Sequence, residues 1–141
     1  MFINCYEFLI NDKHVLEIDY EKKIDYNSIE ILDNELKDII KQNNIVKDGI
    51  ILILDMSKVS SGDVNLRVAK KVIKNFQDNF PDFLHKCIVL NYNIKMKMII
   101  SIIKSFLDPD TSRKIVINKD VNNQINFLIN QQKNINMLSN N

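Results

Sequence analysis

Along this 141-residue chain the spacing of apolar residues switches between alternation, continuous runs and a helical period. Residues 2–10 and 14–20 are strand-length stretches rich in apolar and aromatic side chains. They flank the polar Asn11-Asp12-Lys13, which predicts an opening hairpin. Asn27 and Glu30 have capping-box spacing. Ile29, Leu32, Leu36, Ile39 and Ile40 follow at helical period, predicting a helix that reaches Gln42 and stops at Asn43-Asn44. Gly49 opens the unbroken run Ile50-Ile51-Leu52-Ile53-Leu54. A strand-length run without alternation belongs in a sheet covered on both faces. Ser60-Ser61-Gly62-Asp63 reads as a turn and N-cap before a helix carrying Leu66, Ala69, Val72, Ile73 and Phe76, and Pro81 stops that helix. Cys87 to Leu90 predicts a second buried strand, Ile94 to Leu107 a third helix and Lys114 to Ile117 a last strand. Asp120 is read as the cap of a final helix with Val121, Ile125, Leu128 and Ile129, and residues 137–141 as a frayed tail.

A hairpin followed by alternating helices and strands predicts one α/β domain over residues 1–136. Its sheet is mixed and largely parallel, with an N-terminal hairpin and helices packed against it. Composition agrees: 45% apolar and 26% charged residues describe a folded domain, not a disordered chain. A formal net charge of +1 argues against nucleic acid as a partner and leaves any attraction to acidic surfaces to local groups. Cys5 and Cys87 sit in apolar runs, the setting of reduced core thiols. The N-terminus lacks the basic, apolar, small-residue order of a secretory leader, and a cytoplasmic location is expected. No apolar stretch approaches the roughly 20 residues of a membrane span.

Catalytic chemistry has little to build on. His14 and His85 stand far apart without neighbouring ligands at metal spacing. Gly49 and Gly62 are the only glycines, so no glycine-rich loop can cradle a nucleotide phosphate. A Cys87–His85 pair would need a thiol that begins a buried run. No catalytic residue, metal or cofactor is expected.

The helix from Ile94 to Leu107 is unusually apolar. Lys97, Ser101, Lys104 and Ser105 fall on one narrow stripe, while Ile94, Met96, Met98, Ile99, Ile100, Ile102, Ile103 and Phe106 cover nearly all the rest. A helix lying on a sheet needs only about a 100° apolar stripe. This one is expected to have apolar contact on two sides. From periodicity alone, burial between the sheet and a neighbouring element is the plainer account.

The surrounding sequence adds context. Phe80-Pro81, the strand ending at Asn91, the apolar helix, Phe106-Leu107-Asp108-Pro109, Thr111 and Lys114-Ile115 follow one another without a gap. In this order and spacing the segment from Phe80 to Ile117 resembles the second half of a CRAL-TRIO domain, the lipid-pocket module of phosphatidylinositol- and tocopherol-transfer proteins. The resemblance implies the same α/β layout and a single phospholipid, phosphatidylinositol first, bound without catalysis. The helix of Met96, Met98, Ile99, Ile100, Ile102, Ile103 and Phe106 would be a gate, one side on acyl chains and the other able to enter a membrane. Lys114 and Thr111 match residues that hold the head group in phosphatidylinositol-binding members, and Asp82 stands where those members carry Glu. Phe83 departs from the usual Arg, and Lys58 in Asp55-Met56-Ser57-Lys58 departs from the usual Gly.

The same resemblance implies a cytoplasmic protein that visits membrane surfaces transiently. Such domains usually follow a helical lobe and continue into a Leu-Pro-x-x-aromatic-Gly-Gly brace, and neither pattern occurs in these residues. Apolar surface left uncovered would be met by a smaller pocket, by a homodimer or by a protein partner. The layout also resembles STAS domains, which place a phosphorylatable Ser after an Asp. Here Val64 follows Asp63. A ligand-free interaction module of CRAL-TRIO or STAS-like fold is therefore the alternative.

Overall fold

Asn11 and Asp12 both adopt positive φ, 49° and 64°. Two such residues in succession make the tight turn whose twist matches paired strands. The hairpin forms as expected, β1 (Ile3–Ile10) antiparallel to β2 (Lys13–Ile18), with Ile10 opposite Lys13. The structure, a computed structural model, describes residues 2–19, 24–59, 65–117 and 119–139. The expected turn at Ser60-Ser61-Gly62-Asp63 lies outside these residues.

Helix α1 (Ser28–Gln42) has the predicted span but another start. Asn27 makes no side-chain cap. Asp25 does the work instead, its Oδ1 accepting the Asn27 and Ser28 N–H groups at 2.9 and 3.1 Å and the Ser28 hydroxyl at 3.1 Å. A carboxylate two or three residues ahead satisfies first-turn donors as well as a capping box would. At the other end Asn44 takes φ 53°, and Ile45 N–H reaches back to Ile40 O at 3.0 Å. That left-handed closure buries Ile45 and aims the chain into the sheet. Gly49 follows because a Cβ there would lie 2.6 Å from the Val46 carbonyl oxygen.

Strand β3 (Ile50–Asp55) ends in a single 3-10 turn, Met56–Lys58, capped by the Asp55 carboxylate. Helix α2 (Leu66–Asn79) is capped by Asn65, which accepts from Arg67 and Val68 N–H. Strand β4 (Leu84–Leu90) begins three residues before the buried run Cys87 to Leu90. Helix α3 (Ile94–Ser105) stops two residues short of Leu107. A five-residue helix, α4 (Pro109–Arg113), then stands where a loop was expected. Strand β5 is only Ile115–Val116, with Lys114 closing α4, and α5 (Lys119–Ser139) completes the fold. Since α5 starts at Lys119, Asp120 lies within its first turn.

Sheet order is β1-β2-β3-β4-β5, antiparallel at the hairpin and parallel thereafter. Leu16, Cys87, Leu32, Leu36 and Phe80 share one cluster, and Val89, Met96 and Ile100 another. These place α1, α2 and α3 on one face. Every crossover steps to the adjacent strand in the same direction, so all three share one hand, as parallel connections almost always do. On the opposite face Val15, Ile51, Ile53, Ile88 and Leu90 pack under Ile125 and Ile129 of α5. Cover on both sides explains why β3 and β4 read as continuous apolar runs. Leu128 of α5, counted with the inner residues from its spacing, faces solvent.

Candidate functional site

Two places matter: the outward surface of α3 and a groove beside α4. On α3, Met96 and Ile100 are buried against Val89 and Met56, with Ile99 packed at the edge of that cluster. Ile103 is half-buried. Ile94, Met98, Ile102 and Phe106 are instead 81%, 65%, 45% and 37% exposed. Spaced by four, they form an apolar ridge along the outer surface. Among the described residues the expected apolar contact on a second side is therefore not made; there α3 packs on the sheet through one face. The partial exception is Phe106, whose ring lies under the Lys70 ammonium of α2 at 5.1 Å.

The seven predicted gate residues thus divide. Met96 and Ile100 hold the helix down, Ile99 and Ile103 flank them, and Met98, Ile102 and Phe106 point outward. Asn93 fixes the start of the helix, its Oδ1 accepting Met96 N–H at 2.8 Å.

The three residues expected at a head group, Asp82 far in sequence from Thr111 and Lys114, line one groove of about 220 Å³. Asp82 comes from the turn after α2, Thr111 from α4 and Lys114 from its end. Phe76, Phe80 and Leu84 form an apolar side, and Gln77, Asp108 and Asp110 complete the polar side.

Local sequence explains each placement. Asp82 sits at φ 66°, a conformation Asp tolerates better than most residues. Its carbonyl accepts the Asp48 N–H at 2.7 Å, and Phe83 O accepts Ile50 N–H at 3.1 Å, so this turn is fastened to the start of β3. Asp48 also reaches His85 Nδ1 at 3.0 Å and Lys13 Nζ at 3.3 Å; the contacts to His85 first, then Lys13, hold its carboxyl below the usual range. The Phe83 side chain packs against the core cluster of Leu32, Leu36, Phe80 and Leu84 and is absent from the groove lining.

Asp108 organises the other wall. It caps α4, accepting Thr111 N–H at 2.8 Å on Oδ1. Its Oδ2 accepts the Thr111 hydroxyl at 3.0 Å and the Gln77 amide at 2.8 Å. The Thr111 N–H is the main reason this carboxyl titrates below its ordinary value. The Thr111 hydroxyl proton is therefore committed to Asp108, leaving its oxygen as an acceptor. Lys114 is anchored through its backbone, its carbonyl accepting Cys87 N–H at 2.9 Å. Gln77, Asp108 and Asp110 were not read as site residues. The one available signal was Asp108-Pro109, since Asp then Pro is the N-cap and first position of a helix.

A family model described as the CRAL/TRIO domain matches residues 23–136. The chain belongs to the CRAL/TRIO domain family. Domains of this family bind or transfer lipophilic ligands and are generally without catalytic activity. The mixed five-stranded sheet with helices on both faces is consistent with that membership. Among the described residues no group of three or more His, Cys, Asp or Glu is placed to hold a metal, and no helix is long and apolar enough to cross a membrane.

Proposed function

We propose that this CRAL/TRIO domain binds one phospholipid, phosphatidylinositol first. Its head group would lie in the groove beside α4, and its acyl chains would lie between α3 and the sheet. The observation that carries this reading is the convergence of Asp82, Thr111 and Lys114 in one groove. Lys114 supplies the cation for a phosphodiester, and Asp82 accepts from ring hydroxyls. A groove of 220 Å³ holds a head group but not acyl chains, so entry of the chains requires α3 to lift from Val89 and Met56. The outer ridge supports transient contact with a membrane. Lys95, Lys97 and Lys104 lie among its residues, and no carboxylate occurs between Ile94 and Leu107.

Native mass spectrometry and lipid extraction of the purified protein test the reading. A folded preparation that carries no lipid and takes none from phosphatidylcholine vesicles doped with phosphatidylinositol would refute it. Lys114→Ala removes a charge-assisted contact and should weaken phosphatidylinositol uptake about tenfold or more. Phosphatidylcholine uptake should fall less. Equal losses would make Lys114 structural.

The close packing of Met96 and Ile100 favours a second reading, a protein-interaction module that holds no lipid. Vesicle-to-vesicle transfer above background separates the two, because a module transfers nothing.

A further inference from the structure

We infer that the groove selects a head group bearing a single phosphodiester and several hydroxyls, and discriminates against the same head group carrying additional phosphates. The inference rests on the head-group reading above and deepens it.

Charge inventory decides the matter. Asp82, Asp108 and Asp110 face the groove against one ammonium, Lys114. Arg113 pairs with Asp110, but it is not part of the lining. A ligand entering here meets a surface that is acidic overall and offers a cation at one point. One phosphodiester charge can sit on Lys114. A second phosphate must approach the carboxylates, and like charges a few ångströms apart repel even where water screens them.

Donor and acceptor counting points the same way. The Thr111 hydroxyl proton and one of the two Gln77 amide protons go to Asp108, so besides Lys114 the lining side chains offer a phosphate oxygen only the second Gln77 N–H. The groove therefore lacks the converging donors that a phosphate-dense ligand needs. What it presents in excess is acceptors: the carboxylates and the Thr111 oxygen. Hydroxyl groups are the donors that match them. The apolar side formed by Phe76, Phe80 and Leu84 suits the carbon face of a ring.

The test uses soluble head groups, so it does not depend on α3 lifting. Amide shifts of Asp82, Thr111 and Lys114 are followed by NMR during titration with glycerophosphoinositol, its 4-phosphate and inorganic phosphate. Glycerophosphoinositol should bind at least tenfold more tightly than the 4-phosphate, and inorganic phosphate should leave the three amides unmoved. Asp110→Asn, an exposed position, should narrow the gap to within about threefold by removing one repelling charge and releasing Arg113. Equal or tighter binding of the 4-phosphate, or an inorganic phosphate response matching that of glycerophosphoinositol, would overturn the selectivity while leaving the head-group site standing. If none of the probes moves these amides, the head-group site falls and the selectivity with it.

Discussion

Ile100→Ala tests whether α3 is a detachable element or a fixed part of the core. Ile100 and Met96 are 6% and 3% exposed and are the buried side chains by which α3 holds the sheet. Burying two such side chains is worth roughly 3–6 kcal/mol in all, about 1.5–3 each. Cutting Ile100 to Ala removes methyl groups from a packed site, with a cost of about 3 kcal/mol, within the range for such truncations. At 1.4 kcal/mol per factor of ten, the opening equilibrium of α3 should rise roughly 100-fold. Hydrogen exchange at the amides of residues 99–105 should accelerate by that factor and stay faster in absolute rate than exchange at β3 and β4 amides, which local opening of α3 leaves covered. Met98→Ala is the control, since Met98 is 65% exposed and its loss should change exchange by no more than about threefold. If α3 gates the lipid, uptake by Ile100→Ala should also speed up. Equal exchange free energies for the α3 and the sheet amides would mean that α3 opens only with global unfolding, and the gate account would fail.

Asp108→Ala should cost about 1 kcal/mol through the lost cap of α4 and free Gln77. Asp108→Asn keeps a capping oxygen and isolates the charge. Because the folded-state value of Asp108 lies below its ordinary 3.8, its stabilisation is complete above that pH and is lost as pH falls through the folded value, so the Asn variant should show a flatter acid limb below pH 3.8 in a pH–stability series. Burial raises the Cys5 thiol and pushes Cys87 up to about 12; iodoacetamide at pH 8 should therefore label half-buried Cys5 first and Cys87 only as the protein opens, read by mass spectrometry. Gly49→Ala forces a Cβ to within 2.6 Å of a backbone oxygen and should lower the melting temperature by several degrees, a loss of about 1–3 kcal/mol.

The sheet was legible because its signal is local. Five apolar residues in a row at Ile50 to Leu54 leave few alternatives to a doubly covered strand, and Asn11-Asp12 has a ready turn chemistry. Leu32 and Leu36, four apart, announce the inner face of α1, and both are buried. What stayed hidden was decided between competing local candidates or by tertiary contact. Asn27-x-x-Glu30 and Asp25-x-x-Ser28 are both plausible starts, and the second forms because Ser28 becomes buried and needs a partner. Helix α4 is one turn and a half, too short for a period to show. Burial on α3 follows where the sheet ends and not how apolar the helix is. Hence Met98 and Ile102 are exposed though no less apolar than Met96 and Ile100.

The groove and helix α3, the proposed gate, share one mechanical link. Phe106 closes α3 and Asp108 caps α4, so a single residue, Leu107, separates the two helix ends. Asp108 is also held from α2 by the Gln77 amide at 2.8 Å, and Lys70 of the same helix covers the Phe106 ring. The far end of α3 is held by its Asn93 cap, by Tyr92 just ahead of it and by the Met96–Ile100 packing. If α3 is the proposed gate, its attachments to α2 and α4 at the C-terminal end favour opening from the N-terminal end. Ile94 and Met98, the most exposed members of the ridge, lie in that half. Occupation of the groove at Thr111 and Lys114 would bear on Asp108, the pivot of this arrangement. Under the proposed head-group site, ligand contact and helix position would be coupled through one carboxylate, not through the length of the core.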